Sequence, residues 1–201
     1  MAAAPRGVAR GDAVPTLWGM AIPDFIVQLR YKIGHDPLFL PGVTAVVLKD
    51  VAEDAPLWAV PEVLLVRRAD DGQWTPVTGI VDPGEEPHVA AVREVREETG
   101  LEVEVEALLG VGAVGPVTYP NGDVVQYMDT AMRCRIAGGS AGAQEVQPII
   151  GDDESTAVGF YPISNMPRVS PRFRLVIADA VAQLKHPQGY VPRMGYRKRE
   201  R

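Results

Sequence analysis

The stretch from residue 79 to residue 101, GIVDPGEEPHVAAVREVREETGL, constrains the fold of this chain more than any other part of its sequence. Pro87 and Gly100 predict a helix over residues 87–100, because proline favours the first turn of a helix and glycine the position just past its end. At about 100° per residue, Glu94, Glu97 and Glu98 share one side of that helix. Like charges at this spacing destabilise a helix, so the pattern requires a reason beyond solubility.

A bound divalent cation supplies that reason. The preceding loop, TGIVDPGEE, contains two glycines and a proline, so its backbone is predicted to turn tightly. Several carboxylates together with a free backbone carbonyl are the ligands that a hard divalent cation requires. The alternative is a solvated acidic face, which is the usual state of a glutamate-rich helix. The turned loop before the helix favours the metal site.

Composition excludes several other classes of protein. The net charge of −6 and the pI near 5.1 disfavour binding to duplex nucleic acid, because such a surface repels phosphate. No apolar run approaches the ~18 to 20 residues of a membrane span, and the N-terminus lacks the apolar core of a secretion signal. The single cysteine, Cys134, permits no internal disulfide and is expected to lie buried in a strand. We therefore expect a cytoplasmic protein that does not bind a membrane.

Hydrophobic periodicity predicts strands interrupted by helices. A short helix is expected within residues 22–36, with Asp24 as its possible cap, and a closing helix over 170–186, capped by Ser170. The predicted strands cover residues 42–48, 62–68, 101–110, 123–136 and 156–163. This order indicates an α/β fold, with a mixed sheet flanked by helices.

The spacing of the fixed residues resembles the signature of a known family. Gly79, Glu85 and the run REVREETGL beginning at Arg93 match every fixed position of the Nudix box, G-x5-E-x7-R-E-U-x-E-E-x-G-U, in which U is a bulky aliphatic residue. The resemblance extends more loosely over residues 42–185. It implies an α/β/α sandwich and a Mg²⁺- or Mn²⁺-dependent cleavage of a nucleoside diphosphate linked to another group. One departure is PVTG, with Val77 and Thr78, where members commonly have Pro-Gly-Gly.

The resemblance also implies a role for each box residue. Glu94, Glu97, Glu98 and the Gly79 carbonyl would hold the metal. Arg93 would pair with Glu97 and orient it, and Glu85 would brace the loop or bind an outer water. The general base would be a box glutamate or a carboxylate of the GDDEST loop, where Glu154 is favoured over Asp152 and Asp153. The residues expected to act in catalysis are Glu97, Glu98, Arg93 and Glu154.

Substrate binding depends on fewer signals. Arg67 or Arg68, at the end of a strand, would clamp a phosphate, and Trp74 would either stack on a base or lie in the core. Pro116 resembles a proline of ADP-ribose-cleaving members, and Tyr119 a tyrosine of dinucleoside-polyphosphate members. We expect a pyrophosphatase for a small nucleotide such as ADP-ribose. The alternatives are a nucleoside triphosphate pyrophosphohydrolase of the sanitising type and a catalytically silent, nucleotide-sensing module.

The chain divides into three predicted parts. Residues 1–41 form an N-terminal extension with a short helix, residues 42–186 the Nudix domain, and residues 187–201 a basic tail. The extension carries many apolar side chains over residues 17–41, and leaving them in water is unfavourable. They would pack on their own domain or on a second subunit, and a homodimer is favoured. In such a dimer, Arg30 or Trp18 would approach the nucleotide of the other subunit.

Overall fold

The computed structural model describes residues 16–17, 20–21, 23–51, 56, 59–119, 121–138 and 147–196. The helices are α1 (Asp24–Ile33), α2 (Pro87–Thr99) and α3 (Pro171–Lys185), followed by a single 3₁₀ turn (Pro187–Gly189). The strands are β1 (Thr16–Leu17), β2 (Met20–Ala21), β3 (Leu38–Lys49), β4 (Glu62–Arg68), β5 (Trp74–Thr75), β6 (Val77–Ile80), β7 (Val103–Thr118), β8 (Val124–Ile136), β9 (Ser155–Pro162) and β10 (Arg193–Met194). No helix in these described ranges is long and apolar enough to cross a membrane.

The central strands are apolar on both faces because helices cover both sides of the sheet. Val43, Ala45 and Val47 of β3 belong to one core cluster, together with Ala90, Ala91 and Val95 of α2. The alternate residues Val46 and Leu48 belong to a second cluster, which contains the buried face of α3. The predicted α/β/α sandwich with a mixed sheet is confirmed.

Strand β3 organises the sheet around the acidic helix. It runs parallel to β8 and antiparallel to β6, with Val43 opposite Gly79. Strand β7 pairs with the far side of β8, and β4 pairs with β9 and β5. Because β6 leads directly into the loop before α2, this register places Gly79 beside the helix that carries the glutamates.

The ends of the helices follow local sequence signals with one exception. Helix α2 has Pro87 in its first turn and ends at Gly100, whose backbone is left-handed (φ 68°). Ser170 caps α3 by accepting a hydrogen bond from the backbone N–H of Phe173. The predicted cap at Asp24 is wrong: Pro23 occupies the cap position, and Asp24 is the first helical residue.

Helix α1 packs on its own domain. Ile26 is buried against Leu38, Leu40 and Val125. The guanidinium of Arg30 forms an ion pair with the buried Asp123 of its own chain (3.1 Å). Trp18 lies outside the described residues. Part of the apolar surface behind the predicted homodimer is therefore covered within one chain, and the homodimer stays a prediction.

The first residues of the predicted basic tail also dock on the sheet. Strand β10 runs parallel to β7, where a Cβ on Gly110 would lie 2.7 Å from the carbonyl oxygen of Arg193. The Tyr190 hydroxyl donates to the Leu109 carbonyl (2.7 Å), and Arg193 pairs with Asp179 (2.7 Å). Residues 197–201 and the leader 1–15 lie outside the described residues.

Candidate active site

The three glutamates of α2 lie in very different environments. Glu98 is only 5% exposed, the Glu94 side chain is 13% exposed, and the Glu97 side chain is 56% exposed. Burial raises the pKa of Glu94 to about 7. Burial raises the pKa of Glu98 well above its usual value, and the nearby carboxylates of Glu94 and Glu154 raise it further. Only Glu97 lies on a solvated face, which contradicts the general picture of a surface acidic helix.

Arg93 connects these carboxylates to the loop before the helix. Its Nη1 donates to Glu94 (2.9 Å) and to Glu97 (3.1 Å), and its Nε and Nη2 donate to Glu85 (3.0 and 2.9 Å). Glu85 also accepts from the backbone N–H of Asp82 (3.1 Å). The hydrogen bonds from Arg93 lower the pKa of Glu85. The contacts of Glu85 are therefore those of a loop brace.

Gly79 approaches the Glu94 side chain so closely that only glycine fits. A Cβ on Gly79 would lie 2.0 Å from the Glu94 carboxyl carbon, far inside van der Waals contact. This close approach explains why the box begins with glycine, and it holds the backbone of β6 against the acidic side of α2.

A second glycine, which sequence reasoning missed, docks the GDDEST loop on the end of α2. The backbone N–H of Ile149 donates to the Thr99 carbonyl and that of Gly151 to the Glu98 carbonyl, each at 3.0 Å. A Cβ on Gly151 would lie 1.9 Å from the carbonyl oxygen of Glu97. The position of this glycine immediately before the three acidic residues was the sequence signal that could have indicated this close contact. This docking carries the loop carboxylates toward the helix.

The structure distinguishes the three carboxylates of that loop. Glu154 and Glu98 line one small cavity of about 10 Å³, together with Arg68, Thr75 and Thr78. Burial raises the pKa of Glu154 to about 7, with a contribution from Asp152. Asp152 accepts the backbone N–H of Glu154 (2.9 Å), and Asp153 is exposed. Of these three carboxylates, Glu154 is the one that lines the small cavity.

A larger cavity of about 430 Å³ adjoins the small one. Arg68, Thr75 and Thr78 line both cavities, and Gly79 lines the larger. Its other walls come from α1, β3, β7, β8 and the start of α3, and they include Ile26, Leu40, Val125, Tyr119, Tyr127, Asp129, Arg172 and Phe173. A volume of this size, mostly apolar with a few polar groups, is typical of small-molecule sites.

The residues predicted to bind substrate are placed differently from one another. Arg68 lines the cavity, but its Nε and Nη2 donate to Asp70 (3.0 and 2.5 Å). Arg67 is exposed and donates to the Gly72 carbonyl (3.2 Å). Trp74 packs edge-on against Tyr161 in the second core cluster and is absent from the described residues that line the cavity. Tyr119 does line it, with its hydroxyl against that of Tyr127.

The donor set suits a hard cation, although its side chains are not arranged around one point. In the ranges that the structure describes, no three histidine, cysteine, aspartate or glutamate side chains are grouped to hold a metal ion. Arg93 instead takes up oxygens of Glu94 and Glu97. The available donors are carboxylate and carbonyl oxygens, and burial raises the pKa of two of the carboxyls. Such oxygen donors are the type that a hard divalent cation binds.

Comparisons with known proteins agree with this geometry. The family model described as NUDIX domain matches residues 40–179. A putative nudix hydrolase 1 of Caenorhabditis elegans is 30% identical over 183 residues, which cover 86% of this chain but only 44% of that protein. An ADP-ribose pyrophosphatase of Methanocaldococcus jannaschii is 31% identical over 132 residues, covering 64% of this chain and 71% of that protein. A NUDIX-family hydrolase from Clostridium perfringens shares the fold, with a TM-score of 0.51, 18% identity and coverage of 73% and 97% of the two chains.

Proposed function

Because this chain belongs to the Nudix hydrolase family, which acts on pyrophosphate bonds of nucleotide derivatives, we propose that it hydrolyses the pyrophosphate linkage of a nucleoside diphosphate derivative. The observation that carries this proposal is the junction of the two cavities. A nucleoside in the larger cavity would extend its phosphates past Arg68, Thr75 and Thr78 toward Glu98 and Glu154. The complete set of box carboxylates argues against a catalytically silent module.

Nudix hydrolases generally need divalent metals, and we propose Mg²⁺ or Mn²⁺ here. Glu94, Glu97, Glu98 and the Gly79 carbonyl are the groups that would hold it. When bound, the cation supplies neutralisation of the phosphate oxygens and makes an attacking water more acidic. Its charge would also offset the repulsion between the buried carboxylates of α2.

Other residues near the proposed metal site would orient its ligands, accept a proton and contact the phosphates. Arg93 keeps Glu97 oriented through its Nη1 while Glu85 fixes the guanidinium from the other side. Glu154 would take the proton of the attacking water, and the support for this role is that Glu154 lines the small cavity together with Glu98. Arg68, whose charge is offset by its ion pair with Asp70, lines both cavities and would lie beside the phosphates between them.

An ADP-ribose-like substrate is the specific proposal. It is supported by the similarity to the Methanocaldococcus ADP-ribose pyrophosphatase and by Pro116, the proline that resembles the mark of ADP-ribose-cleaving members. A nucleoside triphosphate pyrophosphohydrolase is the alternative, and its product pattern differs. We further propose that the protein is a homodimer, supported by Tyr31 and Phe39, which are 87% and 62% exposed.

A substrate panel tests the function. The intact protein is incubated with ADP-ribose, dGTP and diadenosine tetraphosphate, each with Mg²⁺ and with Mn²⁺, and the products are separated by chromatography. AMP and ribose 5-phosphate from ADP-ribose are expected. Pyrophosphate and dGMP as the main products would favour the alternative, and no hydrolysis of any compound would contradict the proposal.

A further inference from the structure

Arg172 is a charged residue of the larger cavity that the mechanism above does not use. It stands in the first turn of α3, and it lines the larger cavity together with Ser170, Phe173 and Asp129. It contacts Thr44, which faces the α3 side of the sheet because its neighbours Val43 and Ala45 face α2. Arg172 therefore enters the cavity from the side of the sheet opposite the acidic helix.

Within the described part of the chain, the hydrogen bonds of Arg172 leave one edge of its guanidinium without a partner. Its Nη1 donates to Asp129 (2.8 Å) and to the Thr44 hydroxyl (3.3 Å). Its Nε and Nη2 have no partner among the described residues. These two nitrogens form the parallel fork that binds two adjacent acceptor atoms at once.

Arg68, the other arginine that lines this cavity among the described residues, has its Nε and Nη2 already bound. The same two nitrogens of Arg68 are taken by Asp70, and those of Arg93 and Arg193 are taken by Glu85 and Asp179. Among the arginines that line the larger cavity within the described residues, Arg172 is the one with this edge unpaired.

The guanidinium of Arg172 is fixed by a buried carboxylate and by two aromatic rings. The buried Asp129 accepts hydrogen bonds from Arg172, from the Thr44 hydroxyl (2.7 Å) and from the Tyr196 hydroxyl (2.7 Å). The guanidinium carbon lies 4.1 Å from the centre of the Phe173 ring and 5.7 Å from that of Tyr196. Fixing the guanidinium before binding reduces the entropy lost when a ligand pairs with it.

Tyr196 comes from a segment beyond the family match, which ends at residue 179. Strand β10 brings this segment across β7, and a Cβ on Gly112 would lie 2.6 Å from the Tyr196 ring. The two β7 glycines at 110 and 112 thus permit the C-terminal segment to reach Asp129. The position of Arg172 depends on residues that the family signature does not contain.

We propose that the Nε–Nη2 fork of Arg172 binds two adjacent oxygen acceptors of the substrate, and that Tyr196, acting through Asp129, is its positioning residue. This inference rests on the proposed function and names a specificity contact within it. Adjacent oxygens occur in a phosphate and in the vicinal hydroxyls of a terminal sugar. Because Asp129 offsets the charge of Arg172, the contact selects by geometry more than by charge.

Calorimetric titration with ADP-ribose and with ADP, in the presence of EDTA, tests the contact without turnover. The Arg172→Lys variant keeps a cation for Asp129 but loses the fork, so ADP-ribose should bind about tenfold more weakly or worse. Weaker binding of ADP-ribose alone assigns the fork to the sugar hydroxyls, and weaker binding of both ligands assigns it to a phosphate. Arg174→Lys, on the exposed side of the same helix, is the matched control.

Tyr196→Phe removes only the hydroxyl that positions Asp129. It should weaken the binding of the same ligands that Arg172→Lys weakens, but by a smaller factor. Where the enzyme turns over ADP-ribose, both variants should raise KM and leave kcat near that of the wild type. Unchanged binding in Arg172→Lys, an equal loss in Arg174→Lys, or a fall in kcat at constant KM would overturn the inference. Because binding is read in EDTA, a failure of hydrolysis alone leaves this test valid.

Discussion

Glu97 and Glu98 of α2 are both predicted to bind the metal, although Glu97 is exposed and Glu98 is buried. Exchanging either for glutamine removes a charge and keeps the shape, so Glu97→Gln and Glu98→Gln should each lower turnover by orders of magnitude. Their stabilities should differ. In a chelator, Glu98→Gln should unfold at the wild-type temperature or above, because a neutral amide avoids the cost of ionising a buried carboxyl.

The measurements are steady-state kinetics with Mg²⁺ or Mn²⁺ and thermal unfolding in EDTA. Glu102→Gln is the matched control, since Glu102 is exposed and pairs only with the exposed Arg96 (3.3 Å) in the described part of the chain. Turnover near the wild-type rate in either α2 variant would remove the basis of the metal assignment.

The predicted burial of Cys134 is confirmed, since this side chain is fully buried in β8. Burial raises the pKa of its thiol to about 12, so the reactive thiolate is scarce at any ordinary pH. A thiol reagent such as DTNB should not label the native protein at pH 7 or at pH 9, and it should label one thiol per chain in denaturant. Rapid labelling of the folded protein would show that β8 opens more easily than this packing implies.

At the scale of elements, α2 and its loop were predictable because their signals are local. Pro87, Gly100 and the glutamate spacing lie within one short stretch of sequence, and the structure places the helix as they indicate. The predicted strand over residues 62–68 is also found, with Arg67 and Arg68 at its end, although the sequence did not reveal Asp70 as the partner of Arg68.

Contacts between distant segments carried no such signal. Arg172 lies 43 residues from Asp129, and Tyr196 lies 67 residues from it. Neither pair belongs to a motif: the packing of α3 on the sheet brings Arg172 to Asp129, and the pairing of β10 with β7 brings Tyr196 there. The docking of α1 through Arg30 and Asp123 is of the same kind.

The loop that carries Glu154 depends on Gly151, so Gly151→Ala should displace it. The new Cβ would collide with the backbone of α2, and relieving that contact should cost about 1–3 kcal/mol in the free energy of unfolding. Turnover should fall more than stability alone explains, since Glu154 would move away from Glu98. Denaturant unfolding and kinetics check both effects.

Gly189→Ala is the control for that change, because nothing lies within 4 Å of a Cβ at this position. It should leave the free energy of unfolding and turnover close to the wild-type values. Equal behaviour of the two alanine variants would mean that the loop does not need its contact with α2.

For the molecule as a whole, the buried carboxyls link stability to pH and to cations. Without metal, Glu94 and Glu154 stay protonated in the folded protein up to about pH 7, whereas in the unfolded chain they ionise near their ordinary value of 4.5. The folded state therefore binds more protons between these values, and stability should fall as pH rises through 7.

Mg²⁺ or Mn²⁺ should reverse this loss, because a ligand that binds only the folded state raises stability in proportion to RT ln(1 + [L]/Kd). The rise in melting temperature over an EDTA sample should be larger at pH 8 than at pH 5.5, where protons compete with the cation for the same oxygens. Identical melting temperatures with and without cation at pH 8 would contradict the metal site.

The homodimer is the prediction that belongs to the largest scale. Ile26, Leu38 and Leu40 are buried within one chain, so the surface that remains for a partner includes Tyr31 and Phe39. Leaving two large aromatic side chains in water is unfavourable, and a twofold axis would bury each of them twice. Deleting residues 1–41 would remove the first four residues of β3 along with α1, and it would expose the sheet.

Substitution at these two aromatic positions is therefore the cleaner experiment. Light scattering of the intact protein should give twice the mass of one chain at micromolar concentration. The double change Tyr31→Ser and Phe39→Ser should give a folded monomer, because neither side chain belongs to the buried core. A monomeric wild type across the micromolar range would rule the dimer out, and a variant that stays dimeric would place the interface elsewhere on the chain.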